Sequence, residues 1–312
     1  MRLATLVLLV LGLVAAGCGR ESADEQATGD ELSGRIQADG SSTVGPFTTL
    51  GAERFRREHP NVRITVGISG TGGGFERFCR GETDLSDASR EIEEDERALC
   101  DKNGVEPIEF LVANDALTVV VNEQNDWAAC LTVAELRKIW APGSKVKSWK
   151  QVRPSFPDEK LTLSGPGTDS GTFDYFTEAI VGEEGASRSD YNASEDDNVI
   201  VRAVAGDNGG LGYFGFSYYD ENRDTLEAVE VDDGDGCVAP SVETTQNGTY
   251  KPLSRPLFVY AKKASFERPE VGTFVEFLID NEREIAKAAL FIPLTDAQIQ
   301  QARQELEAAR GE

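Results

Sequence analysis

Histidine is almost missing from this chain, and the one present, His59, does little to support an enzyme. It stands in Arg56-Arg57-Glu58-His59-Pro60, at the polar end of a helix that the proline stops, where a solvated surface role fits better than catalysis. A Ser-His-Asp hydrolase would have to use it or do without. Ser69, in Gly67-Ile68-Ser69-Gly70-Thr71, lacks the second glycine of a nucleophile elbow. No lysine follows Gly70-Thr71-Gly72-Gly73-Gly74, so that run does not make a nucleotide loop. No Cys-x-x-Cys pair occurs, which leaves zinc without a ligand set. Asp232-Asp233-Gly234-Asp235-Gly236 lacks the twelve-residue calcium-loop spacing and reads as an acidic loop. Basic residues are also scarce: 31 against 55 acidic ones give a formal charge of −24. That balance argues against nucleic acid or an anionic membrane surface as partner. It does not argue against a small anion in a closed site, because charges farther than about 8–10 Å away are screened.

One apolar run is present, at residues 3–14 after Arg2, and it is too short to remain in a bilayer. With Ala15-Ala16-Gly17-Cys18 behind it, the run has the layout of a signal peptide over 1–17, and Cys18 resembles the lipidated cysteine of a bacterial lipobox. Residues 18–33 carry Glu21, Asp24, Glu25, Asp30 and Glu31 with little apolar surface, as a solvated tether does. About 280 residues then remain for one large or two moderate domains. Four cysteines remain as well, Cys79, Cys100, Cys130 and Cys237, and in an exported chain they read as two disulfides with three possible connectivities. The favoured pairing is Cys79 with Cys100, closing a local loop, and Cys130 with Cys237, joining distant segments.

Three turns rich in Ser, Thr and Gly run straight into amphipathic helices: Asp39-Gly40-Ser41-Ser42-Thr43, Ser69-Gly70-Thr71-Gly72-Gly73-Gly74 and Gly165-Pro166-Gly167-Thr168-Asp169-Ser170-Gly171-Thr172. Apolar residues follow at helical spacing, for example Phe47, Leu50 and Phe55 after the first. Each turn alone is an ordinary N-cap. Together they are three helix N-termini whose free N–H groups, hydroxyls and dipole favour an anion. Strand-like segments at 62–66, 117–121, 161–163 and 256–260 alternate with helices expected at 131–140, 266–290 and 295–310, the last polar and peripheral. The alternation predicts an α/β architecture with the turns at the carboxyl ends of strands.

These turns, with Asp84-Leu85-Ser86-Asp87-Ala88-Ser89-Arg90, Leu211-Gly212-Tyr213-Phe214-Gly215 and Pro252-Leu253-Ser254-Arg255-Pro256-Leu257, resemble the phosphate-binding lipoprotein of the phosphate-specific ABC importer over residues 35–262. The resemblance implies a type II periplasmic-binding-protein fold: two α/β lobes, 34–113 with 254–312 and 114–253, joined by strands crossing near 112–116 and 250–256. It implies inorganic phosphate as ligand, a membrane permease as partner, a lipid anchor outside the cytoplasmic membrane, no cofactor or metal, no enzyme activity and a monomer. By position, Ser42 and Thr43, Ser69 and Thr71, Ser89 and Arg90, and Ser170, Gly171 and Thr172 match the family's ligand motifs. Some members carry an arginine four residues before the serine of the third turn; this chain has Pro166 there, which puts the expected positive charge on Arg90.

A phosphate proton needs an acceptor, which sulfate would find repulsive. Asp87 is the candidate, with Asp169 and Asp197 behind it. Two other functions fit the same turns: a receptor for another small, sulfate-like oxyanion, and a secreted phosphatase-type hydrolase.

Overall fold

The computed structural model describes residues 32–168 and 170–311, so the signal segment, Cys18 and most of the tether lie outside the described residues, as does Asp169. Strands β1 (Gly34–Gly40), β2 (Val62–Ile68), β3 (Leu85–Ala88), β4 (Pro107–Asn122), β6 (Thr162–Gly165), β7 (Asn192–Ala193), β8 (Gly210–Gly215), β9 (Leu226–Ala228) and β12 (Ser254–Lys262) form one nine-stranded sheet. Its order is β2-β1-β3-β12-β4-β8-β6-β7, with β9 also paired to β4. Strands β5 (Cys130–Thr132), β10 (Glu230–Asp232) and β11 (Cys237–Val238) make a second, three-stranded sheet.

Two properties of β4 divide this sheet into lobes. The strand is 16 residues long, and every residue from Val112 to Asn122 is buried, as expected where both faces are covered. Its first part pairs antiparallel with β12, as far as Ala116 opposite Ser254; from Leu117 on it pairs with β8 and β9. The cores change with the pairing. Ile36, Phe47, Phe55, Phe110, Val259, Phe274 and Leu278 belong to one cluster, whereas Val119, Trp140, Trp149, Phe176, Tyr213 and Tyr250 belong to another. In the second, the rings of Phe176 and Tyr213 stack 3.7 Å apart and Trp140 meets Tyr213 edge-on at 5.0 Å. The chain is therefore a mixed α/β protein of two lobes that share crossing strands.

Helices follow from local sequence. In lobe I, α1 (Gly45–Glu58) has Pro46 in its first turn and buries Phe47, Ala52 and Phe55; His59 ends it and packs its ring 4.5 Å from Phe55. Behind β2 and β3 come α2 (Gly70–Cys79) and α3 (Glu94–Lys102), which the buried disulfide Cys79–Cys100 ties together. Lobe II carries α4 (Val133–Trp140), α5 (Trp149–Val152), α6 (Gly171–Phe176), α7 (Asp197–Ala205), α8 (Phe216–Glu221) and α9 (Val242–Gln246). There Cys130–Cys237 joins the small sheet across 107 positions of sequence.

Two expectations about the C-terminal segment need correction. The helix expected over 266–290 is broken into a 3-10 turn (Lys263–Glu267), α10 (Pro269–Asp280) and α11 (Glu282–Ala288). Pro269 starts a new helix, and Asn281, at φ −105° and ψ 13°, interrupts it. The last helix, α12 (Asp296–Arg310), is not wholly peripheral: Ala302 and Leu306 are buried in the core of lobe I. Among the described residues, no helix is long and apolar enough to cross a membrane.

Candidate anion-binding cleft

Strands β1, β2 and β3 run parallel, so their carboxyl ends open on the same edge of lobe I; β1 and β2 lead into the first two expected turns and β3 into Ser89-Arg90. At Gly40 the first turn passes so close to β3 that a Cβ would lie 2.1 Å from the carbonyl oxygen of Asp87; only glycine fits. Ser41 donates its N–H to that same oxygen at 2.9 Å, while its Oγ accepts from Thr43 N at 3.2 Å. The second turn is tied to the first by Ser69 N donating to Gly40 O at 3.1 Å. No side chain caps α2, so the amides of its first turn stay open to the cleft. Thr71 Oγ1 accepts from Ser89 N at 3.3 Å and lies 3.1 Å from Ser89 Oγ, which brings the end of β3 alongside.

The third turn comes from lobe II, at the end of β6. Ser170 caps α6, its Oγ accepting from Thr172 N at 3.2 Å. Gly171 meets lobe I so closely that a Cβ would sit 2.8 Å from Thr43 Oγ1 and 3.2 Å from Ser42 Oγ. Ser42, Thr43, Ser69, Thr71, Ser89, Arg90 and Gly171 thus line one cleft of about 410 Å3 between the lobes. Thr172 lines an adjoining hollow of about 200 Å3, together with Ser42, Thr43, Gly171 and Asp197.

Asp87 is placed differently. It is fully buried and is not among the residues lining the cleft. Its Oδ1 accepts from Thr48 Oγ1 at 2.7 Å, and its Oδ2 is buried without a partner. Burial pushes its carboxyl up from 3.8 to about 7, with the Thr48 bond opposing and Asp39 adding to the rise. Asp197, the other described candidate, is raised to about 6 by burial, then by Asp196 and Glu195.

Arg90 reaches the cleft but is largely committed. Its two terminal nitrogens each lie 2.8 Å from a Glu96 oxygen, Nη1 also donates to Glu91 O at 3.1 Å, and Nε is 3.2 Å from Glu93. Of five N–H groups, one on Nη2 is left for a ligand. The cation that sequence reasoning missed is Arg255, at the start of β12 where the lobes cross. It pairs with Asp115 of β4 at 3.3 Å, donates to Thr43 Oγ1 at 2.9 Å and lies 3.5 Å over the ring of Tyr175. Burial pushes Asp115 up, opposed by Arg255. The missed signal was an arginine inside Ser254-Arg255-Pro256, at the crossing that the sequence had already placed near 250–256.

Lobe II adds acid to the same cleft through Asp174, Glu178 and Glu184. Burial raises the Asp174 carboxyl, Glu184 raises it further, and Arg255 and the Ser42 hydroxyl hold it down.

A two-lobed α/β fold with helix N-termini, hydroxyls and an arginine converging on an interlobe cleft defines the class of solute-binding receptors for small anions. Residues 24–282 match the PBP superfamily domain. The chain is 48% identical over 262 residues to Protein SphX of Synechococcus elongatus, covering 83% of this chain and 77% of that protein. It is 38% identical over 266 residues to the phosphate-binding protein PstS of Staphylococcus epidermidis, covering 85% and 80% respectively. A crystal structure of a possible phosphate binding protein from Planctomyces limnophilus superposes with a TM-score of 0.86 at 46% identity, covering 89% of this chain and 99% of that one. The chain belongs to this family of phosphate-binding proteins of the PBP superfamily.

Proposed function

We propose that the protein binds inorganic phosphate in the cleft and delivers it to the permease of an ABC importer, outside the cytoplasmic membrane and anchored there through lipid on Cys18. The observation that carries this reading is the convergence of turns from both lobes on one cleft, beside a hinge arginine whose side chain is only 11% exposed. A desolvated phosphate needs many N–H and O–H donors and a positive charge, and these residues supply both. The proposed ligand set is Ser42, Thr43, Ser69, Thr71, Ser89, Arg90, Ser170, Gly171 and Thr172, to which Arg255 is added. Asp87, expected from the sequence as the proton acceptor, is left out of this set because it is fully buried and lies outside the lining.

The reading as a receptor and not a hydrolase rests on the relatives, which are named as phosphate-binding proteins. Native mass spectrometry of gently purified protein tests the whole proposal: the expected mass is a monomer with diacylated Cys18 and one phosphate. Absence of bound phosphate, together with no heat of binding on titration with phosphate, would refute it. Turnover of a phosphomonoester would favour the hydrolase instead.

A further inference from the structure

The hydroxyls around the cleft are not equivalent, because what stands behind each one sets the direction of its proton. Thr43 Oγ1 accepts from Arg255 Nη2 at 2.9 Å, which leaves its own proton free for a ligand oxygen. Ser69 has the opposite arrangement. Its Oγ lies 2.7 Å from Oδ1 of Asp39, a side chain at the end of β1 that is 2% exposed and whose Oδ2 is paired with Arg77. Gly67 closes over the same carboxylate, since a Cβ there would come within 2.7 Å of Oδ2. An ionised carboxylate only accepts, so the Ser69 proton is committed to Asp39. Ser69 does not use its oxygen to cap α2 either. The hydroxyl therefore presents lone pairs to the cleft that it lines.

We propose that Ser69, polarised by Asp39, is a hydrogen-bond acceptor of the site and a determinant of its preference for a protonated oxyanion. The inference rests on the phosphate reading above and deepens it. A phosphate hydroxyl meets the Ser69 lone pair and is satisfied. Sulfate brings no proton, so it faces the lone pair directly, or Ser69 turns its proton outward and leaves Asp39 Oδ1 buried without a donor. Either way sulfate is penalised at a point on the cleft wall that Asp87, which lies outside the lining, does not occupy.

Asp39→Asn reverses the polarity. Arg77 requires an oxygen on its side, so the amide turns its oxygen to Arg77 and its NH2 to Ser69, which then accepts from below and points its proton into the cleft. Calorimetric competition between phosphate and sulfate at one pH and ionic strength should show the phosphate preference falling at least tenfold, mainly through tighter sulfate binding. Phosphate affinity itself should change less than about fivefold. Ser69→Ala removes the acceptor without touching the buried carboxylate, so it decides the matter should Asp39→Asn fail to fold; the preference should fall in the same direction. Ser69→Thr, which keeps the hydroxyl, should retain the wild-type preference, and Asp39→Asn added to Ser69→Ala should shift it no further. A purely structural role for Asp39 predicts that both anions weaken together. That outcome, or an unchanged preference in Ser69→Ala, overturns the proposal. Failure of the wild type to bind phosphate would instead overturn the receptor reading on which it stands.

Discussion

Lobe I meets the ligand space with hydroxyls and amides from three turns, at 41–43, 69–73 and 89–90, and with an Arg90 partly neutralised by Glu93, whereas lobe II meets it with Gly171, Tyr175 and the carboxylates of Asp174, Glu178 and Glu184. One wall is built to hold an anion, and the other tolerates it only with help. Beyond the partly committed Arg90, that help comes from the crossing: Arg255 rises from the hinge strand, pairs with Asp115 on the second crossing strand and stacks on Tyr175 of lobe II. The comparison separates two jobs that a closed cleft would conceal. On the proposed reading, donors fixed on lobe I would recognise the ligand, and charge at the hinge would offset the acidity of the facing wall. The overall charge of −24 has little part in this, because the groups that matter lie within a few ångströms of the site.

The largest expected effects concern how each lobe is held together. Cys130–Cys237 closes a loop of 107 positions in lobe II, and Cys79–Cys100 closes one of 21 in lobe I. On a loop-closure argument, replacing the first pair with serine should cost about 4–5 kcal/mol and the second about 3 kcal/mol, read by chemical denaturation. Equal losses would mean that chain entropy does not distinguish the lobes.

Next in size is the hinge cation. Arg255→Ala should weaken phosphate binding about a hundredfold or more, since it removes charge-assisted bonds worth about 1.5–3 kcal/mol each. Arg90→Ala, with one N–H to lose, should weaken it about tenfold. Calorimetry giving the reverse order would move the essential charge onto lobe I. A smaller effect is expected at the contact between the walls. Gly171→Ala would place a Cβ 2.8 Å from Thr43 Oγ1 and hold the lobes apart, so affinity should drop by roughly tenfold and small-angle scattering with phosphate should report a larger radius than wild type. An unchanged radius would show that the walls can separate locally without opening the cleft.

The smallest expected effect is the share of the pH dependence that lobe I contributes. Burial raises Asp87 from 3.8 to about 7 and Glu282 from 4.5 to about 7, the latter against its bond from Leu294 N at 2.9 Å. Both groups bind their proton more tightly folded than unfolded. Their stabilising contribution is therefore complete below about pH 4 and is lost as pH rises to about 7. Asp87→Asn and Glu282→Gln should flatten this slope and raise Tm near pH 8, by about 2–4 °C for each kcal/mol recovered. A slope that survives both substitutions would assign it to other groups.

The turns were legible in the sequence because serine and glycine at helix starts are dictated locally, within a few residues. The α/β alternation was legible for a similar reason, whereas the cysteines read only as two bridges with three possible connectivities, of which the favoured one is observed. Arg255 was not. Its partners are Thr43, Asp115 and Tyr175, and no local pattern ties a strand residue to a turn 212 positions earlier. The depth of Asp87 was hidden likewise, since it depends on α1 lying over β3 with Thr48 against it. Neither the break at Asn281 nor the burial of Leu306 was read, because a long amphipathic run looks continuous until its packing partners are known.

The shared strand β4 also orders folding as the chain emerges. A chain emerges from its N-terminus, and lobe II has all of its strands once β11 has passed, at Val238. Lobe I must wait for β12, which lies between β3 and β4, and for Phe274, Leu278 and Leu306 to fill its core. The middle of the chain thus has its strands in place first, while β3 and the first half of β4 wait with open edges. For a time, the wall rich in donors is the one still unfinished.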